Sequence, residues 1–293
     1  MDPMYFNRSS SAPGKRKSAF SAAPTAMVTL LGLSAAAGKA GVVLTNQNSS
    51  VTPSTAAVTN WTIGSTNQLD QDSFWYRIGD SPGQSPISDL TPFVSTPTGL
   101  SNFAEFTYGS TSGFDVVVKY MLTGSQTGSQ SSDLVESIDV SNDGMSSQTF
   151  HLFEYTNFNL DSSTTGQTVT ITGGNTATDI GDGMEAQTVV SPEPSKYEAA
   201  NTAASPDLLS HISNASTAYT LQDVASAGPG DGEWAFEWDI KVGCNSSEVI
   251  SIDKDIQAAA TPAVVPEPAV GGIVLLGLGG LFMKRPRRRG GSA

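Results

Sequence analysis

The sequence predicts an all-β protein: an antiparallel β-sandwich, with an N-terminal signal helix before it and a single C-terminal transmembrane helix after it. Three observations carry this. Thr, Ser, Gly and Asn dominate the middle of the chain, where no sustained 3.6-residue apolar period runs. Short segments there alternate apolar with polar residues, as half-buried strands do. Glycine-rich turns separate these segments at hairpin spacing.

Taken in order, Arg8, Lys15, Arg16 and Lys17 precede an apolar stretch from about Ala19 to Ala37, and small residues follow at Ala35, Ala37, Gly38 and Ala40. A basic region, an apolar region and a small-residue cleavage zone make a secretory signal peptide, the kind of leader handled by the Sec translocon. Residues 1–40 are therefore assigned to the signal, with cleavage after Ala37 or Ala40 and a mature chain beginning near Gly41. A disordered start followed by an ordinary core helix is the competing reading; Pro24 and the long leader are atypical of signals.

Residues 41–256 are expected to form the exported sandwich. Predicted strands are Val42–Leu44, Thr59–Ile63, Phe74–Ile78, Phe103–Tyr108, Phe114–Leu122, Leu134–Val140, Gln148–Thr156, Thr168–Thr172, Glu185–Val190, Glu233–Ile240 and Val249–Asp255. Glu233–Ile240 is the clearest: Trp234, Phe236, Trp238 and Ile240 share one face, and Glu233, Glu237 and Asp239 the other. Gly109–Gly113 and Asn142-Asp143-Gly144 read as hairpin turns; Gly173-Gly174-Asn175 and Gly181-Asp182-Gly183 punctuate the next pair of runs. Ser191–Ser216, holding Pro192, Pro194 and Pro206, reads as a long loop with a helical turn near Asp207–Ser213.

The exported region contains five basic residues against 26 acidic ones, a net charge of −21, while the whole chain carries −13. So acidic a body repels phosphate backbones, which excludes nucleic acid as a partner. Its acids are a solubilising face or a place for Ca²⁺. Cys244 is the one cysteine, so no internal disulfide holds the domain and a core of about 215 residues must do so. It reads as a small buried residue, because no catalytic signature surrounds it and only His151 and His211 are available as bases.

Candidate chemistry is sparse. Glu237 and Asp239 stand two apart on a strand, about 6–7 Å, a spacing that suits glycoside hydrolysis but also arises on any solvent-facing strand. Asp139–Gly144 begins like a calcium loop, yet its twelfth position is Phe150 where a Glu is needed. Asp179, Asp182 and Glu185, around another glycine-rich turn, are the candidate ligands for a structural Ca²⁺; no other cofactor is expected. Trp75 and Tyr76 are the candidate sugar-stacking residues. Three consecutive aromatics, Phe74-Trp75-Tyr76, cannot all face one core unless both sheet faces are covered. No Ser-His-Asp signature, zinc spacing or phosphate-binding glycine loop appears in the sequence.

Residues 257–265 are an uncharged linker. Pro266-Glu267-Pro268 follows, then an apolar run Ala269–Met283, then Lys284, Arg285, Arg287, Arg288 and Arg289, with residues 290–293 a disordered end. The 15-residue run spans about 22 Å as a helix, short of a ~30 Å hydrocarbon core until its flanks are added. Its glycines make it a weak anchor, and the basic cluster holds the C-terminus on the cytoplasmic side of the inner membrane with the body outside. This three-part order resembles the PEP-CTERM sorting signal of Gram-negative bacteria. The resemblance implies recognition by an exosortase, cleavage near Pro266–Pro268, and release or attachment at the cell surface, in cells that often make exopolysaccharide.

Leu44–Ser50, Phe74–Gly79 and Trp234–Asp239 also resemble PEP-CTERM proteins without an assigned activity, which carry no chemistry over. The sequence therefore predicts a surface or matrix protein with a structural or adhesive role, not an enzyme. A carbohydrate-binding module for exopolysaccharide is the first alternative and an extracellular glycoside hydrolase the second.

Overall fold

The computed structural model describes residues 41–95, 100–110, 113–204 and 207–260. The signal segment, the Pro266–Pro268 motif, the Ala269–Met283 run and the basic stop lie outside them. Among the described residues no helix is long and apolar enough to cross a membrane.

The alternating pattern does what it predicts. Among the described residues, eighteen strands form. In chain order they begin β1 (Leu44–Asn46), β2 (Ser49–Pro53), β3 (Val58–Ile63), β4 (Thr66–Asn67), β5 (Leu69–Ile78) and β6 (Ser85–Pro86). Next come β7 (Thr91–Ser95), β8 (Phe103–Gly109), β9 (Phe114–Gly124), β10 (Ser132–Asn142), β11 (Gln148–Phe158) and β12 (Gln167–Thr172). Last are β13 (Thr176–Gly181), β14 (Met184–Ser191), β15 (Lys196–Asn201), β16 (Ser226–Gly230), β17 (Gly232–Val242) and β18 (Ser246–Ala258). A five-residue helix, α1 (Leu208–Ile212), sits where the helical turn is predicted, with the Asp207 side chain capping the Ser210 amide.

These strands make two antiparallel sheets. The first runs β1-β2-β3-β5-β11-β17-β15, with β4 on β3 and β6 on β5; the second runs β16-β12-β13-β14-β18-β10-β9-β8-β7. Alternate residues of both sheets face inward and fill one core, where Trp61, Trp234 and Phe158 are fully buried. The Trp61 indole N–H donates across the sandwich to Ser132 Oγ at 3.0 Å, so its one polar atom is satisfied inside.

Each of the eleven predicted segments lies in a strand or overlaps one. Seven strands go unpredicted, and they are short or poor in β-branched residues; β15, Lys-Tyr-Glu-Ala-Ala-Asn, lies within the stretch expected to be loop. The linker also starts later than predicted, because Gln257 and Ala258 still pair with Glu185 and Met184. Cys244 is exposed, not buried. It sits in the β17–β18 turn, where Asn245 adopts the left-handed conformation and no core reaches.

The largest departure concerns β17. The sequence alternation makes Glu233 and Glu237 solvent-facing, but both are fully buried. A segment running from Asp207 to Ala225, here called the strap, lies over the outer face of the first sheet. There Leu208, Ile212 and Leu221 form a second small core with Phe153, Tyr155 and Ala235. Both faces of β17 are thus covered, which no pattern internal to β17 can report.

Candidate functional site

The register of β5, β11 and β17 sets the side chains of the outer face in rows. Arg77, His151 and Asp239 are direct cross-strand partners, so a guanidinium, an imidazole and a carboxylate line up in one row. The next row is Trp75, Phe153 and Glu237, continued by Lys196 on β15. His151 Nδ1 is hydrogen-bonded to Asp239 Oδ1. An Arg77 nitrogen lies 3.8 Å from Glu237 Oε1, and the same guanidinium donates to the Gly79 carbonyl at 3.1 Å. Exposure falls across the cluster, from 42% for the Asp239 side chain through 14% for His151 to 1% for Glu237.

Glu237 is hidden because the strap closes over it. Its Oε2 accepts the Leu221 backbone N–H at 2.9 Å. Glu233 does the same for Leu208 at 3.0 Å, with its other oxygen taking the Tyr155 hydroxyl at 2.7 Å. Glu198 on β15 takes the Tyr219 hydroxyl and the Gln222 amide. Three glutamates of the sheet thus satisfy donors of a segment that has few pairing partners of its own. Burial pushes the Glu237 carboxyl up to about 7; the Leu221 amide works against this and the Asp239 charge adds to it. Burial also raises Glu233, opposed by the Tyr155 hydroxyl and the Leu208 amide.

The open margin therefore presents Trp75, Arg77, His151 and Asp239, with a protonatable carboxyl behind them. His151, Glu237 and Asp239 bring ligand atoms within 4.8 Å of one another, close enough for a divalent cation. The Arg77 guanidinium beside Glu237 disfavours one, and one Glu237 oxygen is already committed to a backbone amide.

A second acidic cluster lies on the other face of the same strands. Asp72 of β5 and Glu154 of β11 point into the sandwich and meet Glu136 of β10 and Lys254 of β18. Lys254 Nζ stands 2.7 Å from one oxygen of each carboxyl, and all four side chains are within 1% of complete burial. Burial works against the Lys254 charge, but Asp72, Glu136 and Glu154 outweigh it and hold the lysine well above its ordinary value. Burial also raises Glu136 and Glu154. The three carboxyls satisfy the spacing for a metal, yet Nζ already fills their centre.

The remaining predicted residues separate. Trp75 faces outward, half-buried against the second core, its indole N–H donating to Ser73 Oγ at 3.3 Å. Tyr76 faces inward, stacked on Phe150 at 5.9 Å between ring centroids, so the proposed stacking pair is split across the sheet. Asp179 is fully buried and turned inward, and burial together with Asp231 pushes it up to about 7. Glu185 pairs directly with Ile180, on the opposite face from Asp179, and Asp182 is exposed in the turn between them. The three predicted calcium ligands do not converge.

Sequence reasoning passes over Arg77 and names His151 only as an available base for Cys244. Each sits at an outward position of a predicted strand, so the alternation marks their face; only the register across three strands makes them neighbours. An open cleft of about 470 Å³ lies at the far end of the sandwich, among turns containing Gln47, Asn48, Ser65 and Gln130. Its lining offers no aromatic ring and a single titratable side chain, Asp161.

No protein-family model matches the sequence, and no curated protein matches it. Solved structures share the fold. A bacterial glucoamylase complexed with acarbose superposes with a TM-score of 0.54 at 10% identity, over 83% of this chain and 36% of that one. A GalM/aldose epimerase homologue from C. elegans gives 0.50 at 7% identity, over 76% of this chain and 100% of that one. This chain thus spans about a third of the glucoamylase's length. At such identities, what the chain shares with both is the two-sheet sandwich.

Proposed function

We propose that this is an exported surface protein that adheres to carbohydrate through the outer face of its first sheet. The carrying observation is the Arg77–His151–Asp239 row beside Trp75 at the open margin of the strap. Vicinal sugar hydroxyls each donate and accept hydrogen bonds, and fixed planar polar groups satisfy them in pairs. The apolar face of a pyranose stacks on an indole, which Trp75 supplies. A body of net charge −21 repels uronates and sulfated glycans, so the ligand is a neutral oligosaccharide. The glucoamylase and the epimerase homologue are by name sugar-handling proteins, which supports the same ligand class. The leader and the Pro266-Glu267-Pro268 tail support export and exosortase processing, which put such a site at the cell surface.

The test is binding of the purified protein to a panel of immobilised neutral and acidic oligosaccharides. Neutral glycans are expected to bind, and Asp239→Asn or Trp75→Ala to weaken them about tenfold, roughly 1.4 kcal/mol. Binding of no glycan, or binding indifferent to both substitutions, overturns the proposal.

One observation favours a second reading, acid–base chemistry on the bound sugar. A Glu237 carboxyl pushed up to about 7 stands beside the exposed Asp239 carboxyl, two acids in contrasting environments. It requires the Leu221 amide to leave Glu237. Turnover of the bound glycan that Glu237→Gln abolishes is its signature; binding without turnover leaves the adhesive reading alone.

A further inference from the structure

We propose that Lys254 and Asp72 condense into an intramolecular amide that ties the second sheet to the first through the sandwich core. The proposal is independent of the carbohydrate site.

The geometry is that of two reactants held together. Lys254 Nζ lies 2.7 Å from Asp72 Oδ2, with both side chains only 1% exposed. They project from opposite sheets, β18 and β5, into the buried interior of the sandwich. In the cross-strand rows, Phe236 and Phe74 flank Glu154, Trp234 flanks Thr156, and Tyr120 is paired with Glu136. Held at contact in a dry site, a nucleophile and a carboxyl gain an effective concentration that bulk water cannot provide. Burial works against the Lys254 charge, and a proton handed to an adjacent carboxyl leaves amine and acid both uncharged.

The cluster also holds the proton relay that amide formation needs. Glu136 touches Lys254 Nζ at 2.7 Å and sits beside Asp72, close enough for the two carboxyls to share a proton. A salt bridge of one lysine to one acid would lack this third group.

The steps balance. Lys254 passes one proton to the carboxyl pair, leaving an uncharged amine and an uncharged acid. The Nζ lone pair then attacks Asp72 Cγ, forming the C–N bond. The second amine proton moves to Glu136 as Glu136 protonates the departing hydroxyl, and the C–O bond breaks. One ammonium and one carboxylate become one amide and one water, with no oxidant or reductant. The released water meets Glu154 Oε2, a buried oxygen without a protein partner. The bond would join residues 182 positions apart and close almost the entire exported body into one loop.

The measurement is the mass of the purified full chain under denaturing conditions, followed by proteolysis and fragment sequencing. We expect a chain lighter by one water than its sequence and a branched peptide joining Asp72 to Lys254. Lys254→Arg should retain that water. Asp72→Asn should lose ammonia instead, because the amide nitrogen becomes the leaving group. Glu136→Gln should lower the cross-linked fraction at least tenfold. The wild-type mass needs no variant to fold. A chain at full sequence mass overturns the proposal, as does a dehydrated chain whose Asp72 and Lys254 peptides are recovered free. A branch through Glu136 or Glu154 overturns the assignment of Asp72.

Discussion

Strands β5 and β11 carry the two polar clusters back to back, and the faces handle charge in opposite ways. Inside, three carboxyls surround one ammonium, with Lys254 Nζ 2.7 Å from one oxygen of each. One cation is shared among three carboxyls, and burial raises Glu136 and Glu154 while Lys254 opposes that shift. Outside, β17 contributes the acids, and the strap's unpaired amides stand in for cations: Leu221 for Glu237 and Leu208 for Glu233. The inner cluster is fully buried, whereas the outer one ends at a solvent margin where the Asp239 side chain, bonded to His151, is partly exposed. The same residue type therefore holds the sheets together on one face and anchors a covering segment beside an open site on the other.

Removing the inner cation is the most direct way to break this contrast. Lys254→Met leaves three carboxyls in the core with no counter-charge. We expect a loss of about 3–5 kcal/mol in denaturant unfolding, or failure to fold. The outer counterpart, Arg77→Met, should cost far less, since Glu237 keeps its backbone donor. Equal losses would mean that the strap amides do not substitute for charge.

The pH dependence sharpens the comparison. The Glu237 carboxyl moves from an ordinary 4.5 up to about 7 on folding. Between those values the folded state binds more protons than the unfolded one. Its contribution is therefore fully present below the unfolded value and is lost as pH rises through the folded value. Asp179, also raised to about 7, acts in the same direction, as do Glu136 and Glu154. Wild-type stability should fall between about pH 5 and pH 8. Glu237→Gln cannot titrate and should flatten part of that fall in paired unfolding curves. An unchanged slope would show that the strap does not keep Glu237 dry.

These clusters also mark what a sequence can say. The inner face of β17 was legible, because Trp234, Phe236, Trp238 and Ile240 recur with period two. Its outer face was misread for the same reason: Glu233 and Glu237 occupy polar positions, and polar positions usually face water. What buries them is the strap, whose covering residues Leu208, Ile212 and Leu221 fall in an irregular stretch without a strand pattern. The helical turn near Asp207–Ser213 was legible, but the face it would cover was not. The same limit applies to Lys254: its neighbours' alternation puts it in the core, yet the three acids that hold it there come from three other strands. Periodicity within one element reveals a side chain's face, while its partners depend on register and on the second sheet.

The smallest expected effect asks whether the strap belongs to the binding site or only borders it. Asp207 caps α1 through a 2.7 Å hydrogen bond to the Ser210 amide. Asp207→Ala should cost about 1 kcal/mol in thermal or denaturant unfolding. The strap would keep its Glu233, Glu237 and Glu198 anchors. Arg77, His151 and Asp239 owe their alignment to the β5–β11–β17 register, which this substitution does not touch. Glycan affinity should therefore stay at its wild-type value while stability falls. If affinity falls together with stability, the strap supplies part of the sugar contact, and the site extends from the exposed row onto α1.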